Sequence, residues 1–280
     1  WAESSAVVYA NSVLGARCNR NSGIIEMFGS ILGKVPYFGL LTDDGRKADW
    51  IVEIKTTHLP EAQILGSAIG MKVMDKVPYI KNLDKYFNGQ LDKRAKDYLK
   101  DMGAATASNG AVGLYHVEGL TPEAVELGEK LIVENPNIYV IDDEELKRVK
   151  DSYPIMWKDP DAKPKMCFIG CPHLSLEQLI QWTENIKTSL SMENRKKVVI
   201  PTILTSSPAV LEKFSKLPES KELETMGVST SYICPLMYMN NPLCAKMPVI
   251  TNSNKLRTYT TSRYYTDSEI TRAITREEGI

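Results

Sequence analysis

One repeated pattern governs the second half of the chain: a short apolar run, a corner of small or polar residues, then a helix opened by a capping side chain. Residues 166–170 are such a run, Cys171-Pro172-His173 turns the backbone, and Ser175 with Gln178 has the capping-box spacing that opens an amphipathic helix over 175–190. Residues 198–204 form the next strand, with Ser207 as cap and Pro208 starting a helix over 208–216. Residues 228–234 and 249–251 read as further strands, and Thr266 with Glu269 makes a second capping box before the last helix. Strands alternating with helices require a parallel sheet with right-handed crossovers. Ligands bind such sheets outside the carboxyl ends of the strands. Cys171, Thr205-Ser206, Cys234-Pro235 and Thr251-Asn252-Ser253 therefore converge on one rim.

The first half is less regular. Residues 2–14 pattern as a helix with Ala6, Val7, Ala10, Val13 and Leu14 on its apolar face, ended at Gly15. The polar stretch 17–23 is either a solvated loop or an anion clamp, since the Arg17 guanidinium with nearby amides suits a carboxylate. A turn at 42–46 between residues 38–41 and 50–54 predicts a strand pair, with Asp43 and Asp44 as turn formers. Residues 62–74 predict a helix packed closely at Gly66 and Gly70, and 83–101 a charged surface helix. Small residues lead to a short strand near 117, Thr121 and Pro122 start a helix, and His116 is either functional at a strand end or a core histidine. Residues 138–141 read as another strand. Pro154, Pro160 and Pro164 make 151–165 a linker, so the expected fold is α/β with mainly parallel sheets in two domains, 1–155 and 156–280.

With 34 basic and 35 acidic residues and a net charge of −1, the chain has no electrostatic footprint for nucleic acid or an anionic membrane. No stretch reaches the roughly 20 apolar residues of a membrane span, and no segment patterns as a signal peptide, so a soluble cytoplasmic protein is expected. The first residue is not Met and the pattern starts at once, as in the middle of something longer. Five widely spaced cysteines argue for thiols, a metal or a cluster rather than a disulfide framework.

Cys171 and Cys234, read as lying at neighbouring strand ends, suit zinc or iron, or are buried apolar cysteines; Cys167 belongs to the core and Cys244 has no evident partner. Cys171 activated by His173 is the nucleophilic alternative. Ser253, with Lys255 as nearest base and Asn252 as oxyanion donor, is another.

Several stretches, in order, resemble the aconitase X family: residues 1–20, the turn from Tyr37 to Lys47, residues 108–118 with Thr121-Pro122-Glu123, residues 170–178, and Thr251-Asn252-Ser253. The resemblance implies two aconitase-like α/β domains of a longer large subunit, with an iron–sulfur cluster ([4Fe-4S] or [2Fe-2S]) held by three cysteines. Cys171 and Cys234 match two of these; the third lies upstream of residue 1, so the cluster is expected to be incomplete here. It further implies a small swivelling domain or small subunit as partner and a small carboxylate substrate. Arg17, Asn11, Asn19, His173 and Asn252 would bind that substrate, and Ser253 is the candidate base. Cys18 stands where relatives have Thr, and Tyr232-Ile233-Cys234 replaces Asp-Thr-Cys. The implied activity is dehydration of a small hydroxy acid, with cis-3-hydroxy-L-proline first and 5-phosphomevalonate second. A binding module that has lost its cluster is the reading from another class.

Overall fold

The computed structural model describes residues 3–276, so Trp1 and Ala2, where the first family-like stretch begins, lie outside the described residues. The chain divides into two compact units, Trp1–Ser152 and Tyr153–Ile280, each with its own parallel sheet. The boundary falls within the expected linker, three residues earlier than the expected domain edge.

Unit one runs α1 (Ser4–Val13), α2 (Gly23–Leu32), β1 (Ala48–Ile54), α3 (Ala62–Val73), β2 (Pro78–Lys81), α4 (Lys93–Asn109), β3 (His116–Val117), α5 (Pro122–Leu127), β4 (Ile132–Ile141) and α6 (Asp143–Asp151). Its strands lie in the order β3-β2-β1-β4, and every pairing is parallel. The helix pair α3 and α4 explains the glycines. A methyl on Gly66 would overlap the Met102 carbonyl, and one on Gly70 would sit 2.7 Å from the Thr106 carbonyl oxygen, so the two backbones approach as only glycine permits.

Two expectations for this unit fail. Residues 38–41 do not pair with β1: Gly39–Leu41 is a 3-10 turn, and β1 hydrogen-bonds to β2 and β4 instead. The cause is the side chain of Asn19, which donates to the Phe38 carbonyl (2.9 Å) and accepts the Leu40 amide (2.7 Å), taking the backbone groups a strand would need. The charged segment 83–101 is not one surface helix. Asp92 caps α4 by accepting the Ala95 amide, and α4 buries Leu99, Met102 and Ala105. Helix α2 buries none of its residues, leaving Ile24, Phe28, Ile31 and Leu32 exposed.

Unit two runs β5 (Met166–Leu174), α7 (Leu176–Met192), β6 (Thr202–Ser206), α8 (Pro208–Phe214), α9 (Pro218–Thr225), β7 (Val228–Ser231), α10 (Pro235–Met239), β8 (Val249–Thr251), α11 (Asn254–Tyr259), β9 (Arg263–Tyr264) and α12 (Asp267–Thr275). Its five strands are parallel in the order β7-β6-β5-β8-β9. Both capping boxes form: Ser175 Oγ accepts the Gln178 amide while Gln178 Oε1 accepts the Ser175 amide, and Thr266 and Glu269 do the same on α12. The core combines sheet residues Cys167, Ile169, Leu204 and Ile250 with Leu179, Trp182 and Ile186 of α7 and Ile270 and Ile274 of α12. No helix among the described residues is long and apolar enough to cross a membrane.

Candidate functional site

In unit two, the corner at Cys171 is built by β6. The β5–β6 ladder is regular through Ile169–Leu204 and resumes at Leu174–Ser206, so residues 170–173 of β5 bulge out around Thr205. Thr205 Oγ1 donates to the Gly170 carbonyl (2.5 Å) and Ser206 Oγ to the Leu174 carbonyl (2.6 Å), pinning both ends of the bulge. Gly170 has φ +106°, and a Cβ there would lie 2.5 Å from the Thr205 carbonyl oxygen. Only glycine fits. The Cys171-Pro172 peptide is cis, Cys171 is buried, and His173 beside it is half-buried.

Cys234 reaches the same edge by another route. It lies three residues beyond β7, not within the strand, as the N-cap residue of α10, and it is exposed. Strands β5 and β7 are not neighbours, because β6 lies between them. Two strand spacings put their axes roughly 9.5 Å apart. Burial pushes the Cys167 thiol well up, in keeping with its place inside β5.

At the end of β8, Asn252 Nδ2 donates to Asp267 Oδ1 (2.8 Å), tying the rim to the first turn of α12. Ser253, the expected base, is fully buried, and its Oγ accepts the Leu256 amide (3.0 Å) as the cap of α11. The structure gives this hydroxyl a capping task, and its lone pair is aimed at the helix.

The unit-one candidates surround a buried ion-pair cluster. Asn11 is committed inside the protein: Nδ2 donates to the Cys18 and Gly113 carbonyls (2.7 and 2.9 Å), and Oδ1 accepts the Cys18 amide. Asn19 is the lock on residues 38–40 already described. Both amides shape the loop: Asn11 spends both of its amide hydrogens on backbone carbonyls, and Asn19 spends one. Arg17 is different. Its guanidinium is 42% exposed, with Nη1 donating to the Leu41 carbonyl and Nη2 2.6 Å from Asp43 Oδ1. The neighbouring carboxylate of Asp43 raises its pKa further.

Behind Arg17 lie three residues that no sequence spacing joins. Arg46 is 1% exposed and makes a bidentate pair with Glu123, both bonds 2.7 Å, while Nη1 donates to the Leu40 carbonyl. Glu123 Oε1 is also 3.8 Å from Arg17. His116 Nε2 sits 2.8 Å from the Arg46 carbonyl and Nδ1 3.8 Å from Glu123, and burial lowers its pKa. A ring nitrogen donating to a carbonyl fixes the tautomer. Of the two readings of His116, this is a core histidine serving the cluster. Glu123 in the first turn of α5 reads in sequence as a helix-dipole acid, and Arg46 as a turn residue, so nothing but proximity could have paired them.

The fold and the rim together define a class: a parallel α/β chain carrying sulfur and amide donors along the carboxyl edge of one sheet. Profiles of the aconitase X first, second and third domains match residues 1–44, 47–151 and 164–273. The chain belongs to the aconitase X family. That family counts three domains where two were expected; here the first segment shares a unit with the second because α1 packs on α4, with Val8 against Gly103.

The chain is 37% identical over 212 residues to a phosphomevalonate dehydratase large subunit of Thermococcus kodakarensis (75% of this chain, 50% of that one). It is 36% identical over 228 residues to another from Methanothermobacter thermautotrophicus (81% and 52%). A cis-3-hydroxy-L-proline dehydratase of Pseudomonas aeruginosa is 26% identical over 264 residues (92% and 43%). The chain thus spans about half the length of the curated relatives it matches. The crystal structure of Thermococcus kodakaraensis aconitase X in its holo-form superposes with a TM-score of 0.81 at 31% identity, covering 98% of this chain and 67% of that one.

An iron–sulfur cluster held by three thiolates needs more donors than the described residues bring together. Cys171 and Cys234 share an edge, but among the described residues no three His, Cys, Asp or Glu side chains come together as a metal site. The described donor set does not fit a three-thiolate cluster.

Proposed function

We propose that this chain is part of a hydro-lyase that removes water from a small hydroxy acid, and that its substrate is of the 5-phosphomevalonate type. This reverses the order of the two substrates reached from the sequence, where cis-3-hydroxy-L-proline came first. The two kinds of dehydratase named above differ in likeness to this chain, 37% and 36% against 26% identity, and the phosphomevalonate enzymes are on the nearer side.

Both molecules carry a carboxylate and a hydroxyl on the carbon two bonds from it. Dehydration takes that hydroxyl together with a proton from the carbon between, so the enzyme must hold the carboxylate still while the neighbouring C–H and C–O bonds break. Arg17 is the residue for the first task, and the observation that carries the reading is its partly exposed guanidinium, backed by the buried Arg46–Glu123 pair. In unit two, taken by itself, Cys171, His173, Cys234 and Asn252 lie along the carboxyl edge of the sheet. We assign Cys171 and Cys234 as metal donors of an incomplete set. A small subunit is the proposed partner, from the large-subunit names of the relatives.

The test is an anoxic assay of the full protein with a small subunit, offering 5-phosphomevalonate and cis-3-hydroxy-L-proline separately. Turnover of the phosphorylated acid with higher kcat/KM is expected, and Arg17→Lys should raise KM. Faster turnover of the cyclic amino acid would reverse the substrate assignment, and no dehydration of either would remove the hydro-lyase reading.

A further inference from the structure

Asp43 is placed like a ligand. Its carboxylate oxygen lies 2.6 Å from Arg17 Nη2, in the position that a bound carboxylate would take. Yet the side chain is 87% exposed, and Arg17 is its one ion pair among the described residues. The backbone beneath it is rigid: the Asp43 carbonyl accepts the Arg46 amide, the Arg46 side chain is buried, and the Arg46 carbonyl is held by His116. The carboxylate can therefore leave by rotating its own side-chain torsions, with no change in the turn.

Charge gives this geometry a consequence. Arg17 and Arg46 are cationic, Glu123 and Asp43 anionic, and His116 is kept neutral by burial. With Asp43 on Arg17 the cluster is balanced. With Asp43 turned away it carries one positive charge beside an exposed guanidinium, and a single carboxylate restores the balance.

We propose that Asp43 is a specificity-determining residue that occupies the Nη2 side of the Arg17 guanidinium and must be displaced from it by the substrate carboxylate. This rests on Arg17 being the carboxylate clamp. An internal competitor multiplies the apparent Kd by the inverse of the open fraction. An exposed pair of this kind is closed roughly 60–85% of the time, so the multiplication is about two- to sixfold. Acids with only a carboxylate to offer are held back, whereas a substrate with further contacts overcomes the competition.

Two measurements on the full protein test it. In the first, calorimetry measures 5-phosphomevalonate binding. Asp43→Asn should tighten it about two- to sixfold and leave its carboxyl methyl ester unaffected, while Arg17→Lys should weaken the acid. If Arg17→Lys changes nothing, the clamp reading fails; if it weakens binding but Asp43→Asn does not tighten it, the competitor proposal alone is overturned. The second needs no ligand: phenylglyoxal modification of Arg17, followed by mass spectrometry, should run about two- to sixfold faster in Asp43→Asn. An unchanged rate refutes the proposal.

Discussion

The Arg46–Glu123 pair allows a sharp test of how a buried charge is stabilised. Glu123→Gln keeps the shape and removes the charge, stranding a guanidinium that is 1% exposed. Two charge-assisted bonds of 2.7 Å are weakened. At ~1.5–3 kcal/mol each they bound the loss near 3–6 kcal/mol. The retained bonds from Arg46 to the Leu40 and Asn11 carbonyls, and the 15% exposure of Glu123, place it toward the lower end, about 3–4 kcal/mol. Replacing both partners, as Arg46→Met with Glu123→Leu, removes the charge that needed compensation but also the donors to the Leu40 and Asn11 carbonyls, and should cost about 1–3 kcal/mol, less than Glu123→Gln. Urea unfolding followed by far-ultraviolet circular dichroism, with amide exchange on β1 to isolate unit one, measures both. If the double variant is as unstable as Glu123→Gln, the loss comes from packing rather than from a stranded charge, and the reasoning is wrong.

Gly170→Ala should destabilise unit two by about 2–4 kcal/mol, combining the left-handed φ with overlap on the Thr205 carbonyl, and calorimetric melting would show it; a loss below about 1 kcal/mol would mean the bulge relaxes freely. Because burial lowers the His116 pKa below its ordinary 6.5, the unfolded chain binds the proton first as pH falls. This contribution to stability is complete above about 6.5, is lost as pH drops from there toward the folded-state pKa, and is flat below it. Between pH 7 and 5 the stability of wild type should therefore fall more steeply than that of His116→Gln, and equal slopes would count against it.

Local features were legible in the sequence because their physics is local. Ser175 and Gln178, three residues apart, satisfy one another's amides whatever surrounds them, and Thr266 with Glu269 does likewise. The strand β8 and the close approach at Gly66 and Gly70 were also readable, the first from a short apolar run and the second from small residues at helical spacing. Residues 38–41 misled because an apolar run before a turn resembles a strand, and the side chain that prevents it, Asn19, lies some twenty residues earlier. Ser253 was ambiguous in sequence because a serine at a strand end is equally a candidate base and a helix cap; the structure adds that a helix begins there and that its Oγ caps it.

By itself the sequence determined the alternation of strand and helix and the parallel sense of the sheets, which follow from short-range periodicity, and the resemblance to the aconitase X family, which is carried by several stretches of residues in order. Only the tertiary structure decided that β6 separates the strands bearing Cys171 and Cys234, and that Arg46 meets Glu123 across 77 residues to stand behind Arg17. Strand order and buried ion pairs are selected by the free energy of covering apolar faces and compensating charge in the assembled fold.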